Sequence, residues 1–155
     1  MNSSEGNAPV TQVQNRPGKR ARRLAYAGLL PFVFGTALIW IVRADAQLHV
    51  GAAMSAYAAV IVSFLGGIHW GFGIRRGGDE DLTRFVWGVV PSLVAWLAVL
   101  MPANAALVIH GLMLAVCYLV DRKVYPIEGA AQWLTLRFRL TVVAAMSCFL
   151  AAAGA

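Results

Sequence analysis

Apolar side chains fill five stretches of the chain, Leu24 to Val42, Val50 to Ile74, Phe85 to Met101, Ala103 to Val120 and Arg139 to Ala155, and charged residues gather in short blocks between them. A soluble amphipathic bundle would instead distribute its charges at helical spacing through every segment. Each of the first four stretches approaches the ~20 residues that carry a helix across hydrocarbon. Isolated strands are excluded, because they would leave backbone groups unpaired in lipid. The fifth stretch is shorter in its apolar part, Leu140 to Ala153, and suits a thinned bilayer or a place tucked against its neighbours. The pattern predicts an all-α membrane protein: a five-helix transmembrane domain over 24–155, preceded by a tail over 1–23.

Lysine and arginine give the direction. If the chain crosses five times, the leading tail, the second loop and the fourth loop share one side. That side then holds twelve of the thirteen basic residues, with Arg43 alone opposite. The positive-inside bias predicts an inner N-terminus and an outer C-terminus.

Composition agrees. The chain is 59% hydrophobic and 13% charged, against about half and about a quarter in soluble domains. The net charge of +6 reads as a topology signal and a handle for anionic headgroups, with no groove-reading element to suggest nucleic acid. Residues 1–23 are rich in Asn, Ser, Gln, Pro and Gly and are predicted to be a disordered cytoplasmic tail. A cleaved signal ending at Ala44 to Ala46 is disfavoured, since the preceding apolar run exceeds the usual length of about 7–15 residues. An Arg-rich, acid-poor start also fits a mitochondrial presequence.

Two short echoes suggest a parallel duplication of a two-helix unit. Gly28 to Pro31 reads GLLP and Gly88 to Pro91 reads GVVP, and His49 to Tyr57 has the spacing of His110 to Tyr118. Chance explains them equally well.

The second stretch carries the most distinctive residues. Counting by fours gives Gly51, Ser55, Ala59, Ser63, Gly67 and Gly71, a ladder of small residues that predicts a close-packed helix seam. Nearby, His69 has Gly66 at i−3 and Gly73 at i+4, so its face is thinned. It lies about 9 Å from the basic block at Arg75, at 1.5 Å per residue. A polar ring at that depth should face protein or a wet cavity. One reading makes it a hydrogen-bonded lock between helices. The other makes His69, with Tyr57, Ser63 and Trp70, a ligand or proton site.

Other chemistry is sparse. His69 and His110 sit at different depths and lack a haem-attachment motif. Cys117 and Cys148 are isolated in apolar surroundings and read as packing residues. Asp79 to Asp81 reads as a solvated loop rather than a magnesium site. No metal, cofactor or catalytic set is expected. In the fourth loop, Gln132 to Arg137 is expected along the interface with Trp133 among headgroups, and Arg137 and Arg139 to pair with Asp121 or Glu128 or to meet lipid phosphate.

The segments YAAVIVSFLGGIHWGFG from Tyr57, VVPSLVAWLAVLMP from Val89 and WLTLRFRLT from Trp133 together resemble a family of small multi-pass membrane proteins of unknown function that includes transmembrane protein 69. The resemblance covers almost everything after residue 23. It implies an inner-membrane protein, of the bacterial plasma membrane or, in a eukaryote, of the mitochondrial inner membrane, and implies no activity or cofactor. Two functions stay open: a non-enzymatic packing subunit of a membrane complex or homo-oligomer, and a small-ligand or proton-coupled module with a cavity at His69.

Overall fold

The structure, a computed structural model, describes residues 17–77 and 82–155. Within them the chain folds as α1 (Lys19–Ala27), α2 (Leu30–Ile41), α3 (Ala44–Arg76), α4 (Leu82–Val99), α5 (Ala103–Ile127), a short 3-10 turn (Ala131–Trp133) and α6 (Leu134–Gly154). Five helices, with α1 and α2 forming one near-continuous pass, are long and apolar enough to cross a membrane. Their outward faces carry Phe34, Trp40, Phe64, Trp96, Leu97 and Leu119, all well exposed. Such a belt suits lipid rather than water.

Helix ends differ from the hydropathy boundaries for local reasons. Lys19 to Arg23, assigned to the tail on composition, already form the first turns of α1, because Lys, Arg and Ala favour helix. The first pass breaks at Gly28–Leu29, just before Pro31. Proline has no N–H to give to the carbonyl four residues back. The Tyr57 hydroxyl donates to the Gly28 carbonyl at this break, at 2.8 Å. The fifth pass is not short: α6 starts at Leu134, so Leu134 to Arg137 are continuous with the apolar helix that follows. Residues 1–16 and the acidic run Asp79 to Asp81 lie outside the described residues.

Close approach is concentrated where glycines face backbone. A Cβ at Gly66 would strike the Gly88 carbonyl and stand 3.4 Å from the Pro91 ring, so α3 and α4 touch almost main chain to main chain. The Trp70 ring lies over Gly88, and its indole N–H donates to the Phe85 carbonyl at 3.0 Å. Gly73 gives way to the Phe85 ring and Gly111 to the Phe149 ring. The predicted seam therefore holds only in part. Gly51 and Ser55 are buried and Ala59 and Ser63 half-buried, but Gly67 and Gly71 are exposed with open space beside them. At that end the packed row shifts to Leu65, Gly66, His69 and Gly73. The cause is geometric: four residues turn about 400°, so an i+4 ladder rotates off any straight contact line.

The echoed residues stand in different local settings. Pro31 stands at the start of α2 beside a break, whereas Pro91 lies inside the continuous α4. His49 is exposed and His110 fully buried.

α6 runs beside α2 and α5. Thr36 donates to the Phe32 and Ser147 carbonyls at 2.8 and 3.0 Å, and Trp40 reaches the Leu150 carbonyl. α1 buries no residue, and α2 buries only Phe32 and Ile39. The first pass is thus the least embedded part of the bundle.

Candidate functional site

The inward row of α3 delivers His69 to the centre of the bundle, 1% exposed. α5 continues to Ile127, so Asp121, expected at a helix end, is instead within the helix and 1% exposed. A carboxylate buried this way must be paired. Two donors meet it: the His69 ring Nε2 at 3.0 Å on Oδ1, and Arg137 of α6 on Oδ2, through Nε at 2.9 Å and through one Nη. Because a carboxylate only accepts, Nε2 of His69 carries the proton. Phe72 and Trp87 stand edge-on to the imidazole, with centroids 6.2 and 6.4 Å away. Three helices are thereby joined through one acid. With neutral histidine the set has no net charge, the state that low dielectric favours.

A second acid gathers three further arginines. Glu128, in the turn after α5, is buried and meets Arg75 at 2.8 Å, Arg76 at 2.9 Å and Arg84 at 2.6 Å. Arg75 also donates to the Glu128 main-chain carbonyl. Gly129, with φ of 70°, turns the chain here toward α6. The ends of α3, α4 and α5 are tied together by this one carboxylate.

Beside Arg137 a cavity of about 480 Å³ opens between α1, α2, α3, α5 and α6. Phe32, Phe64, Leu65, Leu114 and Leu140 form much of its wall. The lining runs from Ala21 to Phe32, from Leu114 to Tyr125 and from Trp133 to Ala144, each about 16 Å of helix at 1.5 Å per residue. Polar groups are few: Arg137, Thr141 and Tyr125. Thr141 is 6% exposed, and its hydroxyl has no partner among the described residues. Thr36, by contrast, bonds back to the carbonyl four residues earlier.

The residues singled out in the sequence do not form one site. Tyr57 caps the Gly28 break and packs edge-on to Phe32. Ser63 lines a shallow apolar hollow with Ala56, Ser92 and Trp96. Trp70 bonds to α4 on the outer side and is 43% exposed. His69 is joined instead to Asp121 and Arg137. Of the cluster Asp121, Arg137 and Arg139, the first two pair and Arg139 is exposed. His110, apart from His69, points Nε2 at the Ala95 carbonyl, 3.4 Å away. Both cysteines are free and buried. Among the described residues no group of three or more His, Cys, Asp or Glu is placed to hold a metal ion.

Sequence reasoning missed Thr141, Tyr125 and the Asp121 partner of His69. Counted from the basic blocks, His69 lies six residues in and Asp121 only one, so depth did not pair them; what bears on the pairing is that an acid carried inside a helix bundle needs a donor.

Comparisons with known proteins agree with this picture of a multi-pass membrane protein. Transmembrane protein 69 of Xenopus tropicalis is 41% identical over 137 residues, covering 83% of this chain and 52% of that protein. Its counterpart in Mus musculus is 27% identical over 141 residues, covering 89% of this chain and 57% of that protein. The chain thus spans about half the length of these curated relatives. No solved structure matches. Residues 17–153 match a family described as protein of unknown function, DUF3429, and the chain belongs to that family.

Proposed function

We propose that the protein is a non-enzymatic membrane protein of the bacterial plasma membrane, or of the mitochondrial inner membrane in a eukaryote, that holds one small amphipathic molecule in the cavity beside Arg137. The observation that carries this reading is the pairing of apolar walls with a polar corner: Phe32, Leu65, Leu114 and Leu140 on one side, Arg137 and the unpartnered Thr141 hydroxyl on the other. Ligand sites characteristically combine a mostly apolar lining with a few placed polar groups. The lightly embedded first pass flanks the cavity, so an entrant from the bilayer would meet little packing to displace. The positive-inside bias puts this corner near the inner face.

The test is binding of a dansyl-labelled fatty acid to the purified protein in nanodiscs of zwitterionic lipid. Saturable binding is expected, and Ala144→Trp, which sets a large ring in the cavity lining, should abolish it in a variant that keeps its helical content. Equal binding by a folded Ala144→Trp variant would contradict the reading.

A packing role remains as a second reading, favoured by one observation. Gly67 and Gly71 are exposed on α3 with open space beside them, a surface on which another helix can approach closely. Gly67→Leu with Gly71→Leu should then disperse any stoichiometric complex isolated in mild detergent. A complex unaffected by both changes would remove this reading.

A further inference from the structure

The polar corner restricts what the occupant can be. Arg137 uses Nε and one Nη on Asp121 and also bonds the Tyr125 hydroxyl, yet guanidinium has five N–H donors, and the side chain still lines the cavity with 11% of its surface exposed. Thr141 follows at i+4, on the same face of α6, with a buried hydroxyl that has no partner among the described residues. An arginine with spare N–H groups and a hydroxyl one turn away together make an acceptor's site, and the formal charge of the acceptor should oppose that of guanidinium. Apolar walls over about 16 Å of helix accommodate a hydrocarbon chain.

An anion placed there would disturb the balance that Asp121 now keeps. The site would hold two negative groups and one guanidinium, and an uncompensated charge at this depth is costly. The groups that face the imidazole are few. On α5 they are Asp121, with Cys117 one turn before it and Tyr125 one turn after; on α6, Arg137; on α4, Trp87, with Arg84 one turn before it. α2 has no titratable side chain. On α3 itself, Arg75 and Arg76 are held by Glu128 and are 59% and 44% exposed, where solvent screens them. Asp121 and His69 are the groups here that can accept a proton, and only uptake on His69 leaves the Asp121 carboxylate charged on Arg137.

Building on the cavity reading above, we propose that the occupant is a long-chain acid whose anionic head is held by Arg137 and Thr141, and that its charge is balanced by a proton taken up on His69.

The experiment is isothermal titration of hexadecyl sulfonate, an anion at all working pH values, and of hexadecanol into the protein in zwitterionic nanodiscs, in buffers of different ionisation enthalpy at mildly alkaline pH. Hexadecyl sulfonate should bind at least about tenfold more tightly than hexadecanol, since charge-assisted hydrogen bonds to the head are lost with the alcohol. Its binding should take up close to one proton in the wild type and none in His69→Gln, whose amide can still donate to Asp121. Thr141→Val, which keeps the volume and removes the hydroxyl, should weaken the sulfonate more than the alcohol and serves if His69→Gln does not fold. Equal affinity for the two compounds, or sulfonate binding without proton uptake, or the same uptake in His69→Gln, would overturn the proposal. Failure of both compounds to bind would instead overturn the cavity reading beneath it.

Discussion

His69 and Asp121 lie 52 residues apart in the chain and 3.0 Å apart in space, and the second oxygen of the same carboxylate is held by Arg137. This contact joins α3, α5 and α6 through one acid. The ring is packed and bonded, and the void lies on the far side of Arg137. Glue and site are neighbours, with one arginine belonging to both.

Removing the acid should be severe. Asp121→Ala leaves a buried guanidinium and a buried imidazole without their acceptor, and loss of one partner from such a set typically costs about 3–5 kcal/mol. The expected outcome is a large fall in thermal midpoint in detergent, read by helical circular dichroism. His69→Gln, which keeps a donor, should cost much less.

The α3–α4 crossing makes a sharper test of packing because two adjacent glycines differ. Gly66→Ala drives a methyl into the Gly88 carbonyl, which is backbone and cannot swing aside, while Gly67→Ala points into open space. Overpacking of this kind costs about 1–3 kcal/mol. Gly66→Ala should therefore lower stability by that order, and Gly67→Ala should leave it unchanged or slightly raised, as measured by thermal unfolding of the two variants in parallel.

Tyr57→Phe removes one hydrogen bond, to the carbonyl at the Gly28 break, and should cost about 1 kcal/mol. Its more telling effect should be on α1, which buries no side chain of its own. Amide hydrogen exchange in Lys19–Ala27 is expected to rise in the variant while exchange in α5 and α6 stays as in the wild type.

Glu128 is expected to matter through the cations it gathers. Glu128→Gln leaves Arg75, Arg76 and Arg84 close together without their common counter-charge. Two of them are substantially exposed, so the destabilisation should shrink when salt is raised. Unfolding midpoints measured at low and high ionic strength check this.

Much of the fold was legible because lipid makes strong demands. A helix must be long and apolar to cross, and Leu24 to Val42, Phe85 to Met101 and Ala103 to Val120 each announce a pass. What hydropathy could not place was where charged residues continue a helix. Asp121 to Lys123 look like a stop, yet α5 runs on to Ile127, because Glu128 and its arginines close the end two turns later. Arg137 and Arg139 look like the foot of the last helix, yet α6 begins at Leu134. Those two extensions put Asp121 and Arg137 opposite His69, and so the site was hidden by the charges that build it. The small-residue ladder was half legible for a similar reason: spacing by four shows which residues are small, but the direction of crossing decides whether Gly66 or Gly67 meets the neighbour.

If charge balance couples the cavity to His69, affinity must depend on pH in one direction. Uptake of a proton on binding an anion means that affinity for hexadecyl sulfonate rises as pH falls and flattens once His69 is protonated before binding. Hexadecanol should show no such trend, and neither should the sulfonate with His69→Gln. Titrations at a series of pH values check the sign.

Photolabelling tests the cavity most directly. A diazirine-bearing palmitic acid, irradiated with the protein in nanodiscs and mapped by peptide mass spectrometry, is expected to mark Ile61 to Ile68 and Leu136 to Ala144, and to lose those marks when unlabelled palmitic acid is added in excess. Labels spread instead over outward residues such as Trp96, Leu97 and Leu119, undiminished by the competitor, would contradict a bound occupant beside Arg137.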